Sequence, residues 1–473
     1  MHKIYLYLAL ILFPFTLSAA DLTVVVAVNG LDGSSLQEMQ PFWQQGGLRT
    51  LSDEAAYTSI TFNHWLYGGD EALATVLTGC YPAEHGVCSE RVFSRSSRQI
   101  EDIFLNNRKM GIGTSDSYSA DALLAPTFTD RMRLTGNVTS RVYAIGIHPT
   151  TTIMLAGHAA NACCWLGQHA YSDSICWVST SYYKEGLPAA ADRMNINGSL
   201  NHIIDREWTP RMEISAYNHP TADELKHAFS YRGRQVLPVS PSANEAVIEL
   251  ALALQRDEQL GQRTQSDVLL LELTAITPKA AQARIQSAEQ EDMYMRLNQD
   301  LGFLMEQLTK RLGNEHLSLV LFGLPKLGTN ASRLAEWNMP AKSFDLDKAL
   351  ALTSSYLMAL YGHERWLDGG YGHAVYLNKQ LIEEKHLSLE TMRRQVAEFL
   401  MEFEGVRYAC PISEAFYQPI MVNSIHKRFM GDVLFDLQPN YMFIDNRLPL
   451  PAYRWPAPTP APEKTIDAIH LLH

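Results

Sequence analysis

Charge is scarce in this sequence, and long apolar runs are missing from most of it. Only 19% of the 473 residues are charged, and acids outnumber bases 51 to 39, for a net charge of −12. That balance, with no basic run, argues against nucleic acid as a partner, because such affinity comes mainly from Lys and Arg neutralising phosphates. After the first twenty residues no segment reaches the roughly 18 uninterrupted apolar residues of a membrane span. There is no internal repeat and no charge block, which excludes solenoids and charged tails. Cysteine is also sparse. Cys80, Cys88, Cys163, Cys164, Cys176 and Cys410 do not fall into a zinc-binding pattern.

What remains is globular: 46% hydrophobic and 10% aromatic residues can bury a large core. The length suits two or three domain-sized units, or one continuous α/β core with insertions. Residues 1–20 place Lys3 before an apolar stretch interrupted by Pro14, then end in Ser18-Ala19-Ala20. This reads as a secretory signal peptide, so the mature chain is expected to start near Asp21 in the bacterial periplasm. That compartment is oxidising, so a disulfide is expected. The nearest pairs are Cys80 with Cys88, or Cys163 or Cys164 with Cys176; the alternative is six buried, inert thiols.

Leu22–Val28 is a continuous β-branched run of the kind buried on both faces of a parallel sheet. Comparable runs are Val142–Gly146, Asp267–Leu273 and Leu317–Phe322. Between the last two, Leu297, Leu301, Leu304, Met305, Leu308 and Leu312 form one helical apolar stripe. Strand, helix, strand is the alternation of a three-layer α/β/α sandwich. Ala374–Leu377, a helix near 389–403 and Gly431–Leu437 suggest an inserted α+β lobe at roughly 365–440. Residues 21–448 then form the main domain. Six prolines between Pro449 and Pro462 predict an extended tether for a short tail within 449–473. His363, Trp366 and His373 read as one loop, because two histidines ten apart lack a ligand spacing.

Three motifs carry chemical information together: Thr78-Gly-x-x-Pro-Ala-x-His-Gly86, Ala156-Gly-His-x-Ala-Asn161 and Asn423-Ser-x-His-x-x-x-x-Gly-Asp432. In this order and spacing they resemble the alkaline phosphatase superfamily, in its bacterial branch with a threonine nucleophile. The similarity runs from about Leu22 to Tyr453. It implies hydrolysis of phosphate mono- or diesters with two zinc ions, and it implies where the ligands fall. The first-strand Asp falls on Asn29 and the nucleophile on Gly69. The Asp-x-x-x-His pair falls on Thr277 and Ala281, and the next Asp-His on Leu324 and Pro325. The His of the last motif falls on Arg447. The phosphate-gripping Lys and Arg fall on His148 and Thr150, and an Asn on Glu90.

None of these substitutes supplies what the resemblance implies. A tetrahedral zinc needs about four N, O or S ligands, and a phosphate dianion needs cations or aimed N–H donors. The sequence therefore predicts a pseudoenzyme with no catalytic residue, no metal and no cofactor, binding a periplasmic or outer-membrane protein or an envelope component. Two alternatives stand beside it. One is a phosphatase or phosphodiesterase with a rearranged zinc site, for which Asp32, Asp70 and Glu71 are the surrogate candidates. The other is a binder of a glycan or lipid headgroup. The ordinary reading of Asp70 and Glu71 is acids favoured by a helix dipole. For His85 and His158 it is hydrogen-bonded framework turns.

Overall fold

The computed structural model describes residues 21–31, 33–64, 69–135, 139–278, 287–324, 342–417, 419–426, 430–438, 440–444 and 465–471. The principal strands are β1 (Leu22–Asn29), β2 (Ala56–Thr61), β3 (Gly111–Ile112), β4 (Val142–Gly146), β5 (Ala162–Gln168), β6 (Ile175–Thr180), β7 (Asp267–Thr274) and β8 (Leu317–Leu324). A second sheet contains β9 (Leu367–Tyr371), β10 (Ala374–Leu377), β11 (Val406–Pro411) and β12 (Val433–Leu437), and the last described strand is β13 (Thr465–Leu471). The helices that matter here are α1 (Asp70–Thr78), α2 (Pro149–Ala156), α3 (Pro241–Asp257), α4 (Ala288–Leu312), α5 (Leu346–Tyr361) and α6 (Leu389–Met401).

Nine described strands form the central sheet in the order β2-β13-β8-β1-β7-β4-β5-β6-β3. The middle five, β8 to β5, are parallel, and β13 and β6 pair antiparallel on the two sides. Strand alternation divides the core into two layers. On one face Val24, Val26 and Val28 of β1 join Leu269 and Leu271 of β7 beneath α3 and α4. On the other, Val25, Ala27, Val268 and Leu270 pack against α1 and α2. The sandwich expected from the sequence is the observed fold. Leu297, Leu301, Leu304 and Leu308 of α4 are all fully buried, as a single apolar stripe requires.

The second, antiparallel sheet has the order β9-β10-β12-β11 and its own core, which runs from Phe344 to Tyr441. That core takes in Phe344 and residues of α5, which precede position 365. His363, Trp366 and His373 do not share a loop. Trp366 is fully buried, β9 and β10 pair directly, and the His373 ring bonds the Phe435 carbonyl oxygen.

The tail differs most. Thr465–Leu471 is not a tethered end but a strand between β8 and β2, in register Leu319 with Leu471 and Thr61 with Thr465. The proline-rich segment before it, 449–464, and the signal segment 1–20 lie outside the described residues. Among the described residues no helix is long and apolar enough to cross a membrane.

The cysteines are six free thiols. Cys163 and Cys164 face opposite layers. Opposite β5, Cys176 aligns with Gly167, four residues along from Cys163. At about 3.3 Å per residue that is roughly 13 Å, too far for a disulfide.

Candidate functional site at the carboxyl edge of the sheet

Open α/β sheets bind ligands beyond the carboxyl ends of their parallel strands. Three neighbouring ends meet here: Asn29 of β1 is in register with Leu324 of β8 on one side and Thr274 of β7 on the other. The chain then turns sharply. Gly30 has φ +79°, and a Cβ there would lie 2.6 Å from Ile276 Cγ1, so only glycine fits. Asn29, Leu324 and Thr277 are all nearly fully buried.

Helix α1 brings Gly69 to the same edge as its N-cap residue. A Cβ at Gly69 would touch Leu324 Cβ at 3.5 Å, so the implied nucleophile position and an implied metal position face each other. Neither residue carries a side-chain heteroatom. Thr150, at the start of α2, is buried, and its Oγ1 has no hydrogen-bond partner among the described residues. Ala281, Pro325, Arg447 and the surrogate candidate Asp32 lie outside the described residues.

The most highly coordinated group at this edge is Glu272, which sequence reasoning missed. It sits in β7 and is fully buried. Its Oε1 accepts from Asn29 Nδ2 at 2.6 Å and lies 2.8 Å from His148 Nδ1. Its Oε2 accepts from the backbone N–H groups of Ile147 and His148, each at 2.9 Å. Thr152 Oγ1 is 3.1 Å from Oε2 and 2.6 Å from the His148 carbonyl oxygen. A carboxylate only accepts, so Nδ1 of His148 carries the proton in this contact. Burial opposes charge on His148, but the Glu272 carboxylate and their hydrogen bond hold its pKa above the ordinary value. The signal in the sequence was one acid inside the apolar run Asp267–Leu273, since a lone buried Glu needs partners.

Other acids surround Asp70 near this edge. Asp70 is half-buried; burial first, then the charges of Glu90, Glu71, Asp102 and Glu272, push its pKa well above the usual carboxylate range. Asp102, absent from the sequence reading, closes the short hairpin formed by Arg91–Ser94 and Gln99–Asp102. Burial and the Glu90 charge raise it to about 7. Glu71 is buried in the first turn of α1.

His85 and His158 make framework contacts. Thr75 Oγ1 is 3.0 Å from His64 Nε2 and 3.1 Å from His85 Nε2, and His85 Nδ1 accepts from Val87 N. Burial lowers His85 to about 3, so it is neutral. His158 sits 2.9 Å from Asp130 Oδ2 and 2.7 Å from the Leu123 carbonyl.

The donor chemistry does not fit a two-zinc centre. Asn29, Gly69, Thr277 and Leu324 supply no carboxylate or imidazole, and Glu272 is already saturated with donors. Among the described residues no three His, Cys, Asp or Glu side chains are grouped to hold an ion. The remaining acids supply neither a cation nor an aimed N–H donor for a phosphate.

The comparisons agree on ancestry. The family model for type I phosphodiesterase / nucleotide pyrophosphatase matches residues 71–457. Among curated relatives, alkaline phosphatase PhoV of Synechococcus elongatus is 24% identical over 335 residues, 65% of this chain and 59% of that protein. Alkaline phosphatase PafA of Elizabethkingia meningoseptica is 19% identical over 402 residues, 78% of this chain and 72% of that one. The crystal structure of wild-type PafA superimposes with a TM-score of 0.82 at 17% identity, covering 96% of this chain and 91% of that one. A phosphonoacetate hydrolase from Sinorhizobium meliloti matches with a TM-score of 0.54 at 12% identity, over 95% and 88% of the two chains. With the central sheet and a family match over most of its length, this chain belongs to the type I phosphodiesterase / nucleotide pyrophosphatase family, on the bacterial alkaline phosphatase branch.

Proposed function

We propose that this chain does not hydrolyse phosphate esters by the two-metal, threonine-nucleophile route, and that it works in the bacterial periplasm as a non-catalytic binding protein on a phosphatase fold. The observation that carries the reading is the facing pair Gly69 and Leu324: a nucleophile position without an oxygen stands against a metal position without a ligand atom. The acids Asp70, Glu71, Glu90 and Asp102 supply no cation to hold a phosphate dianion.

A protein partner is the occupant favoured by the surface beside the cleft. Phe416, Tyr417 and Val422 are exposed within seven residues of one another, and Tyr417 is 87% accessible. The adjoining Asn423 Nδ2 donates to the Asn63 carbonyl at 2.8 Å, which ties that stretch to the segment leading into Gly69. Exposed apolar side chains of this kind suit contact with another protein.

A second reading is hydrolysis by a rebuilt site, and Asp102 favours it, because a carboxyl that titrates at about 7 can act as an acid and as a base. One experiment separates the two. Purified mature protein is analysed for zinc and assayed with phosphomonoester and phosphodiester substrates, with and without added Zn²⁺. The expected result is no stoichiometric metal and no turnover. About two metals per chain with metal-dependent turnover would overturn the proposal.

A further inference from the structure

Two positions to which the resemblance assigns charged groups meet at a third residue. Asn29 stands where a metal-binding Asp is implied, His148 where a phosphate-gripping Lys is implied, and both bond Glu272 Oε1, at 2.6 and 2.8 Å. We propose that Asn29, His148 and Glu272 form a metal-replacing lock, which joins the carboxyl ends of β1, β4 and β7 by hydrogen bonds and closes the cleft to divalent cations.

The donor count supports this. A carboxylate offers about four lone-pair sites. Four N–H groups reach Glu272: Asn29 Nδ2, His148 Nδ1, His148 N and Ile147 N. Nothing remains for an ion to bind. The connectivity supports it as well. Glu272 lies on β7, which pairs with β1 on one side and β4 on the other, and the Ile147–His148 turn leads from β4 into α2. The ends of β1, β4 and β7 are thus bridged through one buried acid. The choice of amide at position 29 follows from the same contact. An aspartate there would put two carboxylates at 2.6 Å and remove a donor. The lock rests on the reading that the cleft holds no metal pair, but it is tested by stability and metal uptake, not by turnover.

The test compares Asn29→Asp, Glu272→Gln and the double variant by thermal melting and by zinc content after incubation with Zn²⁺ and desalting. Asn29→Asp is expected to melt below the parent, with or without zinc, and to retain no stoichiometric metal. In the double variant the amide introduced on β7 can donate to the carboxylate introduced on β1, so this protein is expected to melt above Asn29→Asp. Should Asn29→Asp not accumulate as folded protein, Glu272→Gln decides, because it keeps shape while turning an acceptor into a donor that faces other N–H groups; it is expected to melt below the parent. An Asn29→Asp protein that melts like the parent, or that takes up one zinc per chain and is stabilised by it, overturns the lock, as does a Glu272→Gln protein of parental stability. If the parent hydrolyses phosphate esters while Asn29→Asp is destabilised and metal-free, the non-catalytic reading falls and the lock stands.

Discussion

Arg95 Nη2 lies 2.6 Å from Oδ2 of Asp432, a contact that spans 337 residues and joins the cleft-side hairpin to the inserted lobe. Asp432 is fully buried and also receives Arg393 Nη2 at 2.8 Å, Lys379 Nζ at 3.2 Å and the Leu377 backbone N–H at 2.9 Å. One carboxylate thus holds three cations from three segments. Replacing it by Ala leaves those cations facing each other, at an expected cost of about 3 kcal/mol, the low end for a broken buried pair because Lys379 and Arg95 still reach water. Burial works to raise its pKa, but Arg95, Arg393 and Lys379 hold the carboxyl below the usual range. Its stabilisation is therefore present above the unfolded-state pKa of about 3.9 and lost as pH falls through the folded value. Urea melts between pH 3 and 7 should show an acid-limb loss in the parent that is absent in Asp432→Ala.

How much of this was legible depends on the physics of each element. β1, β4, β7 and β8 could be read because strands buried on both faces must be continuously apolar, as in Val24 to Val28. α4 was legible because its leucines repeat on one face. The resemblance motifs placed Asn29, Gly69 and Leu324 at one edge, but motifs list positions and not partners. Glu272 was hidden inside the run it interrupts, and Asp102 carries no motif at all. β13 was missed because the prolines that precede it announce a tether, whereas its place in the sheet depends on two strands far away in sequence, β2 and β8. The cysteine expectation failed because sequence proximity between Cys163 and Cys176 says nothing of strand register.

Asp102 makes the cleft sensitive to pH in the opposite sense from Asp432. Its folded pKa, about 7, lies above the unfolded value. The folded state therefore binds more protons between about pH 4 and 7, and stability falls as pH rises through that window. Asp102 Oδ1 accepts from Phe104 N at 3.0 Å, a bond that an asparagine oxygen can keep. Asp102→Asn is expected to stabilise the protein at pH 8, on the order of 1 kcal/mol after allowance for its partial exposure, and to change little at pH 4. Denaturant midpoints at the two pH values check the sign.

His148 gives a third signature. Its folded pKa is raised, so its contribution is fully present below the unfolded pKa of about 6.5 and is lost as pH rises through the folded value. His148→Gln should flatten that part of the stability profile. An imidazole resonance that titrates above the ordinary range in the parent, and is missing from the variant, would assign the effect to this ring.

The sheet itself offers the clearest structural test, since β2 is held only through β13 among the described strands of the central sheet. Ala468 of β13 stands opposite Phe322 of β8 on one side and Thr58 of β2 on the other. Proline at 468 removes a ladder N–H and introduces a ring where neither neighbour leaves an open edge, at a cost of about 3 kcal/mol where the strand is central. The loss should also be local. If β13 is the bridge, amide hydrogens of Ala56–Thr61 exchange faster in Ala468→Pro, while those of β1 and β7, inside the parallel part of the sheet, keep their protection. Hydrogen exchange resolved by segment reads both. Unchanged protection in β2 would mean that the tail does not occupy the sheet, and that the proline-rich segment ends in a free tether after all.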